Sequence, residues 1–246
     1  LPWPDRHIDY IIHGASQTAS KAFVEQPVET IMTAIVGTQN VLELARRDHV
    51  KGMVFLSSME VYGHPQKGHK VTEADIGSLS PLEVRNSYPI AKLQCESLCR
   101  AYAEEYGLPV TIARLTQTFG AGVSKTDGRV FAYFGKCVQE KQDIVLRTRG
   151  ETERSYLYTS DAVTAIFTMM LKGVPGEAYN VADEDTYCSI AQMAEKIAAA
   201  HKIKVRYDIQ DERANGYPST IYMDLDTSKL KSLGWKVLYK MGGMHR

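Results

Sequence analysis

No excess of charge of either sign is found in this 246-residue sequence, which has 29 lysine and arginine residues and 29 aspartate and glutamate residues. Proteins that bind nucleic acid or an anionic membrane usually carry a strongly basic surface, so neither partner is expected. Apolar runs of about 20 residues, the length that crosses a bilayer, are missing as well. The segment Leu1–Arg6 has neither the basic start nor the apolar core of a secretory signal. We expect a soluble protein.

Cysteine is scarce, and the four residues have no Cys-x-x-Cys spacing: they are Cys95, Cys99, Cys137 and Cys188. No histidine lies at metal-ligand spacing from them, so no metal site is expected. Cys95 and Cys99 are four residues apart on a predicted helix, and we expect buried thiols because free cysteine is usually buried. A reducing cytoplasm is the simplest location for such a protein.

Apolar patterns predict strands and helices along most of the chain. The predicted strands include residues 7–13, Val110–Leu115, Ile144–Leu146, Glu153–Tyr158 and 217–223. The predicted helices cover residues 25–49, Ser87–Tyr106, a segment after Asp127, a segment from an Asp161 cap to Leu171, one that starts in a capping box at Ser189, and one at 228–233. Residues 63–85 are polar and punctuated by glycine and proline, which predicts a long surface loop framing a cleft.

The most informative stretch runs from Met53 to Lys92. An apolar strand beginning at Met53 delivers Ser58 and Glu60 to its carboxyl end, where open α/β sheets bind ligands. Tyr88 and Lys92 follow one helical turn apart. We therefore expect these four polar side chains to converge on one site.

These residues resemble a known family. The patterns are Ser57-Ser58-x-Glu60-Val61-Tyr62-Gly63 and Tyr88-x-x-x-Lys92, which resemble those of the extended short-chain dehydrogenases/reductases, the NAD-dependent nucleotide-sugar epimerases, dehydratases and decarboxylases. The resemblance covers about residues 7–235. It implies an α/β fold with a Rossmann-like parallel sheet that lacks its first strands here. Residues 1–121 would form the remainder of the NAD-binding domain, and 122–246 mainly a smaller mixed α/β substrate domain, with some segments returning to the Rossmann sheet.

The resemblance also implies the cofactor and an assembly. The family's Gly-x-x-Gly-x-x-Gly turn, which cradles the cofactor's pyrophosphate, is not in the sequence. We therefore expect an amino-terminally shortened piece and infer NAD binding from the other half of the site. Its expected contacts are Gly14, Ala15, Ser16, Tyr88, Lys92 and Leu115. The helices at 25–49 and 87–106 form a dimer interface in the family, so a homodimer is implied.

The expected chemistry is oxidation of a sugar hydroxyl. A free tyrosine has a pKa of about 10 and is a poor base at neutral pH. A lysine one turn away would stabilise the Tyr88 phenolate and lower that pKa, so Tyr88 could accept the hydroxyl proton. Ser58 would hold the hydroxyl, and the resemblance implies that Lys92 also binds the nicotinamide ribose.

The pair Met59–Glu60 bears on the step that follows. The family's 4,6-dehydratases use an Asp–Glu pair there, whereas a thioether cannot donate a proton, so dehydration is disfavoured. The UDP-glucuronate decarboxylases have a non-acidic residue before the glutamate and fit better. Carbon-4 epimerisation, a dehydratase whose acid lies elsewhere, and a non-catalytic dinucleotide sensor or scaffold stay open. Intact Ser58, Tyr88 and Lys92 argue against the non-catalytic alternative. Met59 keeps it open, as do Ala34 and Gln117, which stand where the family has asparagines.

Substrate contacts are expected from one amide and four guanidinium groups. Guanidinium groups bind diphosphates bidentately, and the resemblance assigns Arg154 and Arg213 to the diphosphate and Arg129 to the nucleotide. Arg85 lies close to Tyr88 in sequence and could contact a sugar carboxylate. Gln117 keeps the donors and acceptors of the asparagine that it replaces.

Overall fold

The computed structural model describes residues 6–120, 127–209 and 220–239. The strands, in chain order, are β1 (Tyr10–His13), β2 (Gly52–Ser58), β3 (Lys70–Val71), β4 (Val110–Leu115), β5 (Gln117–Phe119), β6 (Ile144–Leu146), β7 (Glu153–Tyr158), β8 (Ala178–Val181), β9 (Asp183–Ser189), β10 (Val205–Tyr207) and β11 (Tyr222–Leu225). The helices are α1 (Ser20–Glu25), α2 (Pro27–Arg47), α3 (Ser87–Tyr106), α4 (Val130–Glu140), α5 (Thr159–Lys172), α6 (Ile190–His201) and α7 (Ser228–Ser232). Short 3₁₀ turns cover Met59–Tyr62 and Val84–Asn86.

A parallel sheet in the order β1-β2-β4-β8 forms the centre of the protein. Helices cover both of its faces, which is why its strands are apolar almost throughout rather than alternating. Along β2, Met53 and Phe55 face α2 and α3, whereas Val54 packs in the cluster with α5. The register pairs Ser58 with Leu115 and Leu115 with Val181, so the carboxyl ends of β2, β4 and β8 lie side by side.

A second group of strands begins where β4 ends. The strands β3, β11, β7 and β5 are parallel and adjacent in that order, and β9 pairs antiparallel with β7. A separate core, which includes Phe134, Ile144, Tyr156 and Ile197, joins α4 and α6 to these strands. Because β8 returns to the first sheet after β5 to β7, the chain crosses between the two regions more than once.

Several predicted bounds agree with the structure, among them α3, β4, β6 and β7. The helix predicted over residues 25–49 is instead two helices, because the chain leaves helical geometry at Gln26, and Pro27, which has no amide hydrogen, starts a new helix. The capping box at Ser189 is confirmed by both of its hydrogen bonds.

The prediction that Asp161 caps α5 is wrong. The helix begins at Thr159, and the fully buried Asp161 carboxylate instead accepts hydrogen bonds from the backbone amides of Leu238 and Tyr239, both at 3.0 Å. The strand expected at 217–223 is found at Tyr222–Leu225, and residues 217–219 lie outside the described chain.

All four cysteines are unpaired and buried, as predicted for Cys95 and Cys99. Within the described ranges, no helix combines the length and the apolar composition that crossing a membrane requires.

Candidate active site

Ser58 ends β2 and starts the turn that carries Glu60. Its hydroxyl accepts a hydrogen bond from the backbone amide of Glu60 at 3.2 Å, which is the capping geometry of a helix start. Glu60 therefore lies in a 3₁₀ turn, not in the strand. Gly77 packs directly on this turn, since a Cβ at Gly77 would lie 2.3 Å from the Val61 carbonyl oxygen. The backbone of the turn that carries Glu60 is thus packed at the carboxyl end of the sheet.

Tyr88 lies in the first turn of α3 and is 7% exposed. Burial raises the pKa of its phenol to about 12, and a hydrogen bond with Ser58 opposes that rise. The predicted lowering of the Tyr88 pKa by Lys92 is therefore wrong for the protein without ligands. The physical reason is that burial disfavours the phenolate more than the neighbouring groups stabilise it.

Lys92 is 3% exposed and donates a hydrogen bond to the Leu56 carbonyl oxygen at 2.7 Å. Its amine lies 4.7 Å from the centre of the Phe55 ring and 5.8 Å from the centre of the Tyr88 ring. Burial lowers the pKa of this amine to about 8. The structure thus brings Ser58, Tyr88 and Lys92 together at the end of β2.

Glu60 and Arg85 form an ion pair beside Tyr88. The Arg85 Nη2 atom donates to Glu60 Oε2 at 3.2 Å, and the two side chains are 34% and 31% exposed. The Arg85 guanidinium carbon also lies 4.9 Å from the centre of the Phe23 ring. Phe23 in turn stacks on Tyr88, with centroids 4.4 Å apart and planes 3° apart. Sequence reasoning missed Phe23, whose only signal was an aromatic residue within an otherwise polar segment.

A buried polar network supports the site from behind. Arg114 donates to both carboxylate oxygens of Glu96, at distances from 2.7 to 3.2 Å, and Ser57 donates to the same carboxylate at 2.5 Å. Arg114 also donates to the Tyr62 hydroxyl at 2.9 Å, which donates to Asn180 at 2.6 Å. This network ties α3 to β2, β4, β8 and the turn that contains Glu60. Sequence reasoning missed it, although a charged residue within the apolar strand β4 was a signal.

The segment after β1 lies beside these groups. Gly14 and Ala15 are exposed, whereas the Ser16 Oγ atom is buried and has no hydrogen-bond partner among the described residues. A Cβ at Gly14 would lie 3.0 Å from Leu56 Cδ1, so the Leu56 side chain packs closely against the backbone here. Leu115, at the end of β4, is the register partner of Ser58.

His13 and Ala34 lie next to this segment. His13 is buried with its Nε2 atom 3.1 Å from the Thr38 hydroxyl, and burial lowers the pKa of its imidazole to about 4. Ala34, at the family's asparagine position, is buried, and its carbonyl oxygen accepts a hydrogen bond from the Cys95 thiol at 3.3 Å. No polar side chain therefore replaces the asparagine at this position.

The expected substrate residues differ in their surroundings. Arg154 on β7 has a buried Nε atom without a partner in the described chain, and Gln117 is half-buried at the start of β5. Arg129 is exposed and pairs with Asp127, with its Nη2 atom 2.5 Å from Oδ2. Arg213 lies outside the described residues.

Met59 is 7% exposed, and its thioether accepts a hydrogen bond from Thr116 at 3.4 Å. Across residues 6–120, 127–209 and 220–239, no group of three or more histidine, cysteine or acidic side chains could hold a metal ion.

Known proteins similar to this chain include nucleotide-sugar enzymes. UDP-glucuronic acid decarboxylase 1 of Danio rerio is 29% identical over 231 residues, which are 93% of this chain and 53% of that protein. The dTDP-D-glucose 4,6-dehydratase of Mus musculus is 26% identical over 93% of this chain and 63% of its own length. The chain thus spans between about half and two thirds of the length of these relatives.

The fold has close structural counterparts. The crystal structure of UDP-glucose 4-epimerase from Thermotoga maritima superposes on this chain with a TM-score of 0.83 at 23% identity. The superposition covers 96% of this chain and 74% of the epimerase chain. The model of the NAD dependent epimerase/dehydratase family matches residues 3–182. The chain belongs to the NAD dependent epimerase/dehydratase family.

Proposed function

We propose that this chain is part of an NAD-dependent enzyme that oxidises carbon 4 of a nucleotide sugar, and that its reaction is the decarboxylation of UDP-glucuronate. The observation that carries the proposal is the meeting of Ser58, Tyr88 and Lys92 at the carboxyl end of β2, beside the Glu60–Arg85 ion pair. The similarity to UDP-glucuronic acid decarboxylases supports it.

The residues at the ends of β1 and β4 fit NAD. The Ser16 hydroxyl is buried without a partner among the described residues, and a buried hydroxyl in that state has a hydrogen bond to offer a ligand. Gly14 and Ala15 leave their backbone exposed beside it. Together with Leu115, Tyr88 and Lys92, these residues would hold the cofactor. When bound, NAD would supply the acceptor for the hydride of carbon 4.

Tyr88 would remove the proton of the 4-hydroxyl group while Ser58 holds that hydroxyl. Since burial keeps the pKa of Tyr88 at about 12, the tyrosine needs a nearby positive charge to act as a base. Lys92, with a pKa of about 8, is mostly protonated at neutral pH but does not by itself bring the pKa of Tyr88 below about 12, so the nicotinamide of NAD, which is positively charged in its oxidised form, would have to supply the further charge when bound. Because Tyr88 and Ser58 are joined by a hydrogen bond, the proton of the sugar hydroxyl could pass through Ser58 to Tyr88.

Decarboxylation follows from the chemistry of the oxidised sugar. A ketone at carbon 4 makes a carboxylate at carbon 6 part of a β-keto acid, which loses carbon dioxide readily. Arg85 uses only Nη2 for Glu60, and its other guanidinium nitrogens have no hydrogen-bond partner in the described chain, so they can bind that carboxylate. Glu60 is then placed to move a proton to or from the sugar.

Met59 argues against the alternative of 4,6-dehydration. Elimination of water needs an acid next to the base, and the buried Met59 thioether cannot donate a proton. Epimerisation at carbon 4 needs no such acid and is the second candidate. It is compatible with the fold, which is similar to that of UDP-glucose 4-epimerase.

The diphosphate of the nucleotide sugar would bind to guanidinium groups. Arg154 is the best supported of these, because its Nε atom is buried and unpartnered within the described chain. Gln117 lies on the neighbouring strand β5, two residues from where β4 ends. Arg129 would first have to leave Asp127. Arg213 stays a sequence-based assignment.

We further propose a homodimer formed through α2 and α3. An apolar row at four-residue spacing lies exposed on α2, with Val28, Met32 and Val36 between 41% and 65% exposed. We also retain the division into a cofactor-binding part up to residue 121 and a substrate part after it, with β8 as a returning segment. Four unpaired cysteines support a reducing, cytoplasmic location.

The test uses the full-length protein that contains this chain, saturated with NAD. UDP-glucuronate, UDP-glucose and dTDP-glucose are added separately while the absorbance of reduced nicotinamide and the release of carbon dioxide are followed. Reduction and carbon dioxide release with UDP-glucuronate alone are expected. Reduction without carbon dioxide would refute the decarboxylase, and no reduction with any of the three sugars would refute the enzyme.

A further inference from the structure

We propose that Phe23 is a positioning residue that fixes both the catalytic Tyr88 and the Glu60–Arg85 pair, an inference that rests on the function proposed above. Phe23 belongs to the short helix α1 and is 1% exposed. Its ring is in contact with groups from two other parts of the chain. None of the expected site residues lies in α1, so Phe23 adds a new element to the site.

The stacking on Tyr88 is nearly parallel, with the two planes 3° apart and the ring centres 4.4 Å apart. A flat neighbour at this distance blocks the tyrosine ring from swinging towards it about the Cα–Cβ bond, and that is the motion that would displace the hydroxyl. The phenol is thereby kept in the orientation in which it reaches Ser58. A branched aliphatic side chain of similar volume would fill the space without imposing that orientation.

The same ring contacts Arg85, whose guanidinium carbon lies 4.9 Å from the ring centre. A guanidinium group near an aromatic face is attracted by the negative potential of that face. Because Arg85 binds Glu60 through a single hydrogen bond of 3.2 Å, the contact with Phe23 is a second restraint on its position. Phe23 thus couples the orientation of the base to that of the residue proposed to bind the sugar carboxylate.

The backbone of Phe23 joins α1 to the same place. The Ser87 hydroxyl, immediately before Tyr88, donates a hydrogen bond to the Phe23 carbonyl oxygen at 2.8 Å, and Ser87 is itself buried. Since the acceptor is a backbone carbonyl, substitution of the Phe23 side chain does not remove it, and α1 should stay attached to α3 in the variants. The effect of the ring can therefore be measured separately from the placement of the helix.

The experiment compares Phe23→Leu, Phe23→Tyr and the control Lys21→Ala in the full-length protein with NAD and UDP-glucuronate. Lys21 lies on the same short helix, and its side chain is 80% exposed. The readouts are the single-turnover rate of nicotinamide reduction, the affinity for NAD and the thermal unfolding midpoint. Where Phe23→Leu does not fold, Phe23→Met takes its place with the same expectations.

We expect Phe23→Leu to reduce nicotinamide about tenfold more slowly, since the loss of an aromatic pair corresponds to roughly a twofold to tenfold change in an equilibrium or a rate. Its affinity for NAD should stay within about twofold of the wild type, because Tyr88 is the one proposed cofactor contact that stacks on Phe23, while Gly14, Ala15, Ser16, Lys92 and Leu115 would still hold the cofactor. Phe23→Tyr keeps the flat ring and should recover most of the rate, and Lys21→Ala should match the wild type.

Two results would overturn the inference. One is a folded Phe23→Leu protein that reduces nicotinamide at the wild-type rate. The other is a rate that falls together with the affinity for NAD and equally in Phe23→Tyr, which would mark Phe23 as a structural residue only. A wild-type protein that reduces no nicotinamide would refute the proposed function instead, so the two failures are distinguishable.

Discussion

Replacing Lys92 by methionine should stabilise the fold near neutral pH and abolish oxidation of the sugar. Lys92 is 3% exposed, and burial lowers the pKa of its amine from 10.5 to about 8. In the unfolded chain the amine keeps its ordinary pKa. Below about pH 8 the amine is charged in both states, so only the folded state bears the cost of burying a charge. The gap between the two pKa values corresponds to about 3 kcal/mol.

Methionine removes this cost and also one hydrogen bond. The bond from Lys92 to the Leu56 carbonyl oxygen measures 2.7 Å, and its loss should cost about 1 kcal/mol. The expected net gain is therefore about 2 kcal/mol at about pH 7. Between about pH 8 and pH 10.5 the folded protein has lost the amine proton while the unfolded chain still keeps it, so the wild type becomes more stable relative to the variant as the pH rises. The gain should vanish within that window, where the remaining cost of burial has fallen to the roughly 1 kcal/mol of the lost hydrogen bond, and the wild type should be the more stable protein at its upper end.

Urea unfolding of the wild type and Lys92→Met at about pH 7 and about pH 10, without cofactor, measures this difference. The buried tyrosines titrate in both proteins, so their effect cancels in the comparison. Lys136→Met is the matched control, because Lys136 is 64% exposed and pairs with Glu140 at 3.9 Å. It should change stability by no more than about 0.5 kcal/mol. A Lys92→Met protein that is less stable at neutral pH, or equally stabilised at both pH values, would refute the reasoning.

Three further predictions concern the catalytic residue, its support and the substrate. Tyr88→Phe should abolish turnover while leaving folding intact, as judged by the thermal unfolding midpoint, and retention of most of the activity would contradict its role as base. Glu96→Gln leaves Arg114 buried without its carboxylate and should lower the free energy of unfolding in urea by about 3–5 kcal/mol. The control is Glu104→Gln, an exposed position on the same helix, which should lower it by about 0.5 kcal/mol. Equal losses of stability in the two variants would show that burial of the pair is unimportant. Arg154→Lys keeps the positive charge but loses the guanidinium group that binds a phosphate through two parallel hydrogen bonds. Titration calorimetry should therefore show UDP binding about tenfold more weakly, and unchanged UDP binding would exclude Arg154 from the diphosphate site.

The sequence predicted α3 and β4 well because their local signals are strong. Tyr106 is followed by Gly107, which adopts the left-handed conformation that ends the helix, and then by Pro109. The apolar run from Val110 ends where Thr116 and Gln117 begin. Local chain chemistry decides such boundaries, so no knowledge of tertiary contacts was needed. The break between α1 and α2 was missed because a proline in a first helical turn is compatible with either interpretation.

The pKa of Tyr88 could not be predicted from the spacing of Tyr88 and Lys92. Spacing places the lysine one turn away, but whether it stabilises a phenolate depends on how much water both groups retain. In the folded protein both are nearly buried, and each is shifted towards its neutral form. The contact of Phe23 with Arg85 likewise depends on α1 folding back over α3, which no local pattern specifies.

The two ion pairs of the site differ in a way that suits different tasks. Glu96 and Arg114 are 8% and 12% exposed and share three hydrogen bonds, so an incoming anion cannot displace either partner without leaving a buried charge alone. Glu60 and Arg85 are about one third exposed and share one hydrogen bond of 3.2 Å, so a sugar carboxylate can compete for Arg85 at little cost. The buried pair can therefore hold the framework fixed while the exposed pair exchanges partners, and an exchange of this kind would release the Glu60 carboxylate at the moment when a carboxylated sugar binds.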